Sequence, residues 1–216
     1  MNYLRKTIKN LHLAEKDKIE SRLSEFVEIF KKGSDTDIFH ELVFCLLTPQ
    51  SKAKSCWNAV QTLVSNNKTL SHDAESIAKD LKSKVRFHNN KAKYVVYARN
   101  LFLKNGKIDI KSKIKSFGSI SDLREWLVKN IKGMGYKEAG HFLRNIGFGK
   151  KIAILDRHIL KNLKLLGVIK EIPKTLTPKV YCEIENKMEK FAQKIGIPMD
   201  HLDLLFWRKE AGEYFK

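Results

Sequence analysis

Apolar residues return every three or four positions along nearly the whole chain, and this period limits what it can fold into more than any other feature. In "KDKIESRLSEFVEIFKKG", Ile19, Leu23, Phe26, Val27 and Phe30 fall on one helical face, with Gly33 placed for a C-cap. "DTDIFHELVFCLLTPQ" is more continuously apolar, so it is expected at the centre, with Pro49 marking its end. "SKAKSCWNAVQTLVSNN" is expected to turn Trp57, Val60 and Val64 inward, and "NNKAKYVVYARNLF" and "SISDLREWLVKNI" keep the period. "LTPKVYCEIENKMEKFAQKIG" offers Thr177 as N-cap and Pro178 at the first helical position, and "MDHLDLLFWRKEAGEYFK" reads as a further helix. No stretch sustains the alternation of a strand, no Asn-Gly hairpin signal is read and no repeat is found, so the fold class is all-α. The 216 residues suffice for one domain or two lobes.

Charge narrows the partners. Forty-two Lys and Arg against 24 Asp and Glu leave a net charge of +18, an excess that attracts phosphate backbones. The basic residues are spread along the chain rather than gathered on one amphipathic helix, which argues against a membrane surface. No apolar run approaches the ~20 residues of a membrane span, and the first residues lack a signal core. A cytoplasmic, nucleoid-associated location is expected. Cys45, Cys56 and Cys182 read as core residues of a reducing compartment; three cysteines cannot supply a four-thiolate iron–sulfur cluster.

The chemistry concentrates in "VKNIKGMGYKEAGHFLRNIGFG". One helix is expected to end near Asn130, the chain to turn through Gly133 and Gly135, and a second helix to start near Tyr136. Two glycines allow positive φ and close approach, and the next helix presents unpaired N–H groups at its positive end, a cradle for phosphate. A plain αα-corner needs the same glycines. Lys137 would lie in the first helical turn, where the dipole favours the neutral amine, a nucleophile able to form a Schiff base. Asp156, after "KIAIL" and before "RHILKNLKLLG", occupies an N-cap position from which a fixed carboxylate can stabilise positive charge. Taken singly, a lysine is a solvated surface residue and an aspartate a helix cap.

Together, "IKGMGYKEAGHFLRNIG" and "AILDRHIL" resemble the helix-hairpin-helix DNA glycosylase superfamily, and in detail its archaeal-type 8-oxoguanine DNA glycosylase/AP lyases. "FCLLTPQS", "RFHNNKAKYVVYARN" and "HLDLLFWRKEAGEYFK" agree in the same order, from about residue 40 onward. The resemblance implies a single two-lobed helical unit over residues 1–216, its hairpin motif at about 121–147 and its active site in a cleft between the lobes. It implies excision of 8-oxoguanine from damaged double-stranded DNA through a lysine imine, strand cleavage by β-elimination, and a monomer.

Carried over residue by residue, Lys137 matches the nucleophile and Asp156 the carboxylate that supports oxocarbenium-like charge. Gly133, Gly135 and His158 match phosphate contacts, and Gln50 a side chain inserted where the base has left. Phe87, Trp207 and Lys216 match the base pocket. Carbonyls of Lys129, Ile131 and Met134 match those that hold a structural monovalent cation. No cofactor is required. The iron–sulfur cluster of many bacterial relatives has no cysteines here, a departure that suits the archaeal-type family. Gln50 could also cap a helix, Trp207 could be core, and Tyr214 and Phe215 could seal the core with Lys216 in solvent. Two other functions stay open: the same fold acting on an oxidised pyrimidine or alkylated purine, and a non-catalytic hairpin module. The lysine–aspartate pair separates the enzyme from the module.

Overall fold

A computed structural model of the chain describes residues 2–212 and 214. Among the described residues are twelve helices and one short hairpin, in two compact units: Ile29–Phe142, and Met1–Glu28 with Leu143–Lys216.

The unit of residues 29–142 is built around α2 (Asp35–Leu47). Ser34 opens this helix with a capping box: its Oγ accepts the Asp37 N–H at 3.2 Å, and Asp37 accepts the Ser34 N–H at 2.8 Å. Ile38, Phe39, Leu42, Val43, Phe44, Cys45 and Leu47 have no exposure, so α2 is the central helix its composition announces. It packs against α3 (Ala53–Ser65), α6 (His88–Phe102) and α7 (Ile110–Lys115). The short α4 (Lys68–Ser71) and α5 (Ala74–Leu81) lie against α6. α8 (Ile120–Asn130) and the start of α9 (Tyr136–Asn145) complete the unit.

Three expectations change here. The inward face of α3 is Cys56, Ala59, Val60 and Leu63, with Trp57 and Val64 only part-buried; Trp57 instead meets the Phe44 ring edge-on at 5.7 Å. Gly33 follows α1 (Asn2–Lys32) without a left-handed φ. Its glycine is needed because a Cβ would stand 2.4 Å from the Ile29 carbonyl oxygen. And a hairpin does exist: β1 (Leu103–Lys104) pairs antiparallel with β2 (Lys107–Ile108). Asn105 and Gly106 join them at φ 50° and 76°, the primed turn that Asn-Gly favours.

The other unit holds α10 (Arg157–Leu165), α11 (Pro178–Ile195) and α12 (Met199–Ala211) with most of α1. Thr177 caps α11 through the Val180 N–H at 3.3 Å, with Pro178 at its start, as its sequence predicts. α12 packs on α10 and α11 and buries Leu202, Leu204, Leu205 and Phe206 almost completely; each such side chain contributes ~1.5–3 kcal/mol of transfer free energy. No helix is long and apolar enough to cross a membrane among the described residues.

Candidate active site

The hairpin forms where the sequence places it. α8 ends at Asn130, five residues follow, and α9 begins at Tyr136. Met134 donates to the Ile131 carbonyl at 3.2 Å, which closes the turn, while the side chains of Ile131 and Met134 are buried beneath it. Only Gly133 uses glycine's freedom of φ, at 82°; a Cβ there would also stand 2.3 Å from the Tyr94 ring. Gly135 has no such φ. It is the N-cap residue of α9, its carbonyl accepting the Ala139 N–H at 2.9 Å, and its own N–H reaches Glu138 Oε2 at 3.2 Å. The other oxygen of Glu138 lies 3.4 Å from Lys137 Nζ. One carboxylate thus faces both the cradle and the candidate nucleophile, whose side chain is 28% exposed. The Gly-x-x-Glu spacing is half a capping box and was legible in "GYKE".

Lys137 has two ionisable neighbours on other helices. Burial pushes the Cys56 thiol up to about 11, against the pull of the ammonium groups of Lys91 and Lys137. Burial holds Lys91 below its ordinary value, and Lys137 adds to that effect.

Gln50 is exposed and left-handed, at φ 54°. It is the third residue of a turn closed by Ser51 N–H to the Thr48 carbonyl at 3.0 Å, with Pro49 second, the pattern of a type II turn. Phe87 is 52% exposed and left-handed at φ 57°, with the Arg86 guanidinium 5.5 Å from its ring. Glutamine in place of the usual glycine, and an aromatic ring at positive φ, each carry strain on the order of 1 kcal/mol or more, of the kind concentrated at functional sites.

In the other unit the strip before Asp156 has no partner strand, yet its amides are satisfied. Ala153 N–H donates to Glu185 Oε1 at 2.8 Å, Ile154 N–H to Asp203 Oδ1 at 3.3 Å, and Leu155 N–H to the Tyr181 hydroxyl at 3.1 Å. The Tyr181 hydroxyl in turn donates to the Ala153 carbonyl at 2.7 Å. Asp156 then caps α10, its Oδ1 accepting the N–H groups of His158 and Ile159, both at 2.8 Å. Asp203 is itself paired with Arg144 at 2.8 Å. Burial outweighs that pair and pushes its carboxyl up to about 6, with the nearby Asp156 charge adding to the rise.

His158 receives the Arg157 Nε–H at 3.2 Å and lies 3.8 Å from Glu210. Trp207 is part-buried beside the fully buried Phe206. Lys216 and Phe215 lie outside the described residues; Tyr214 donates to Glu15 Oε2 at 3.2 Å. Gln50, Phe87, Lys129, Ile131, Gly133, Met134, Gly135 and Lys137 therefore share one unit, and Asp156, His158 and Trp207 the other. Sequence reasoning passed over Glu138, Lys91 and the Glu185–Asp203–Tyr181 set. Only the first had a local signal.

Comparison with known proteins adds the following. A family model described as 8-oxoguanine DNA glycosylase matches residues 19–197. An 8-oxoguanine DNA glycosylase/AP lyase of Fusobacterium nucleatum is 52% identical over 197 residues, 91% of this chain and 90% of that protein. The crystal structure of the Methanocaldococcus jannaschii 8-oxoguanine glycosylase/lyase, in complex with a 15mer DNA containing 8-oxoguanine, superposes with a TM-score of 0.88. It is 38% identical and the match covers 99% of this chain and all of that one. The 8-oxoguanine DNA glycosylase of Thermotoga maritima gives 0.87 at 34% identity, over the full length of both.

Proposed function

Because the chain belongs to the 8-oxoguanine DNA glycosylase/AP lyase family of helix-hairpin-helix DNA repair enzymes, we propose that its own nucleophile is Lys137 and that Asp156 supports the charge created when the base leaves. The observation that carries this is the hairpin itself: a left-handed Gly133, a helix starting at Tyr136, and a half-buried lysine in its first turn.

The substrate is damaged double-stranded DNA. The excess of positive charge draws the duplex in, and the backbone at Gly133 and Gly135, with His158, meets phosphates. The lesion leaves the stack because its C1′ cannot be reached inside it. Gln50 occupies the gap; Phe87, Trp207 and the terminal Lys216 surround the extruded base. Lys137 Nζ then bonds to C1′ as the bond from C1′ to the base breaks, and Asp156 stabilises the developing positive charge on the sugar. Opening of the sugar gives an imine. Loss of a proton from C2′ expels the 3′ phosphate, which cuts the strand.

The carbonyls of Lys129, Ile131 and Met134 are the ones the resemblance assigns to a structural monovalent cation, and they lie at the end of α8 and in the turn after it. No step depends on it, and no redox or organic cofactor is required. We read the enzyme as a monomer acting in the cytoplasm, at the nucleoid.

Borohydride reduction of the reaction on a duplex with one 8-oxoguanine, followed by peptide mapping, tests the reading. A covalent adduct on the peptide bearing Lys137 is the expected result; an adduct on another lysine overturns it.

A further inference from the structure

Lys91 is 3% exposed and its ammonium has no carboxylate partner among the hydrogen bonds it makes. It donates instead to the Leu47 carbonyl at 2.7 Å, the Pro49 carbonyl at 2.7 Å and Ser51 Oγ at 2.9 Å. Three N–H donors meet three acceptors, so the group is saturated. Burying an ammonium is costly, and here the compensation comes from the last carbonyl of α2 and from the turn that follows it. That turn is Thr48–Ser51, whose third residue is the strained, exposed Gln50. Two of the three acceptors are the residues on either side of Gln50. Ser51 Oγ also accepts the Arg86 N–H at 3.0 Å, which ties this turn to the one bearing Phe87. Cys56 Sγ donates to the same Leu47 carbonyl at 3.1 Å.

We propose that Lys91 is a positioning residue for base excision: its buried ammonium holds the Thr48–Ser51 turn in the left-handed form that projects Gln50 into the duplex. This rests on the reading of Gln50 as the inserted side chain. A glutamine relaxes from positive φ unless its surroundings over-determine it. Without Lys91 the turn loses its anchors at the Pro49 carbonyl and Ser51 Oγ, and Gln50 samples other directions, so the cost falls on the step at which Gln50 acts.

The test is a double-mutant cycle read as the single-turnover rate of 8-oxoguanine release from duplex DNA. Lys91→Met is expected to slow release by about tenfold in the wild-type background, the scale of a misplaced group. In the Gln50→Ala background the same change costs under about twofold, because there is no side chain left to aim. If Lys91→Met costs as much in both backgrounds, Lys91 is merely structural and the proposal is overturned. If Gln50→Ala alone leaves the rate unchanged, the reading of Gln50 fails and the proposal falls with it, a result distinct from the first. Circular dichroism monitors folding. Should Lys91→Met not fold, Ser51→Ala, which keeps the lysine and removes one of its acceptors, enters the same cycle with the same two readings.

Discussion

Each unit contains a backbone segment that belongs to no helix or sheet, and the two are held in opposite ways. The turn at Thr48–Ser51 is held through acceptors, by one buried cation, Lys91, which binds the Pro49 carbonyl, Ser51 Oγ and the Leu47 carbonyl just before the turn. The strip before Asp156 is held through its amides, by three acceptors on α11 and α12: Glu185, Tyr181 and Asp203. Gln50 in the turn is exposed and left-handed, and the strip is buried. The difference fits the role proposed for what each carries. A side chain that inserts into DNA has to project from the surface, and an exposed left-handed residue at the tip of a turn does that. A carboxylate that meets developing charge has to stay still, and a segment tied at successive amides does that.

If the strip exists to fix Asp156, the largest effect belongs to that carboxylate. Asp156→Asn is expected to keep the fold, since asparagine also caps helices, while base release slows by roughly a hundredfold or more. A normal rate with a normal melting temperature would reduce Asp156 to a cap and remove the purpose of the strip.

The hairpin offers the next contrast, because its glycines are unequal. Gly133→Ala forces a side chain to positive φ and into Tyr94, and should cost about 2 kcal/mol in urea denaturation with weaker binding to damaged and undamaged duplex alike. Gly135→Ala meets only Glu138 Oε2 at 3.2 Å and should cost under about 1 kcal/mol. Equal costs would mean that the left-handed turn is not what the glycines provide.

Redundancy in the strip predicts a smaller loss. Tyr181→Phe removes the bonds to Leu155 and Ala153 but leaves Glu185 and Asp203 in place, so stability should fall by about 1–2 kcal/mol with Asp156 still catalytically competent. Excision reduced as far as in Asp156→Asn would show that the three anchors act as one.

The smallest effect is a pH dependence. Burial pushes the Asp203 carboxyl up to about 6 in the fold, above its ordinary value of roughly 4. Between those values the folded chain holds more protons than the unfolded one, so this group stabilises the fold as pH falls through 6 and that gain is absent at pH 7. The wild type should therefore gain urea resistance relative to Asp203→Asn between pH 7 and pH 5. A gap that does not change with pH would mean that Asp203 is no more burdened by burial than an ordinary carboxylate.

What the sequence made legible is what local pattern encodes. The helical period gave α2 its place at the centre. Thr177 and Pro178 announced the start of α11, Asp156 the start of α10, and Gly133 the turn after α8. The Asn105-Gly106 hairpin was equally local and was passed over because its strands are two residues long, too short to alternate. Trp57 and Val64 fell off the inward face because period alone does not say which of two adjacent stripes meets α2. Lys91 had no signal at all. It is one of many lysines, and its acceptors lie 40–44 residues away. The positive φ of Gln50 and Phe87 was hidden for the same reason, since neither residue type favours it.

The account rests on one amine at one position. The most direct measurement compares wild type and Lys137→Gln on a duplex containing a single 8-oxoguanine, following base release, strand cleavage and borohydride trapping alongside DNA binding. Loss of all three activities with binding retained is the predicted result; strand cleavage and trapping that persist in Lys137→Gln would contradict it.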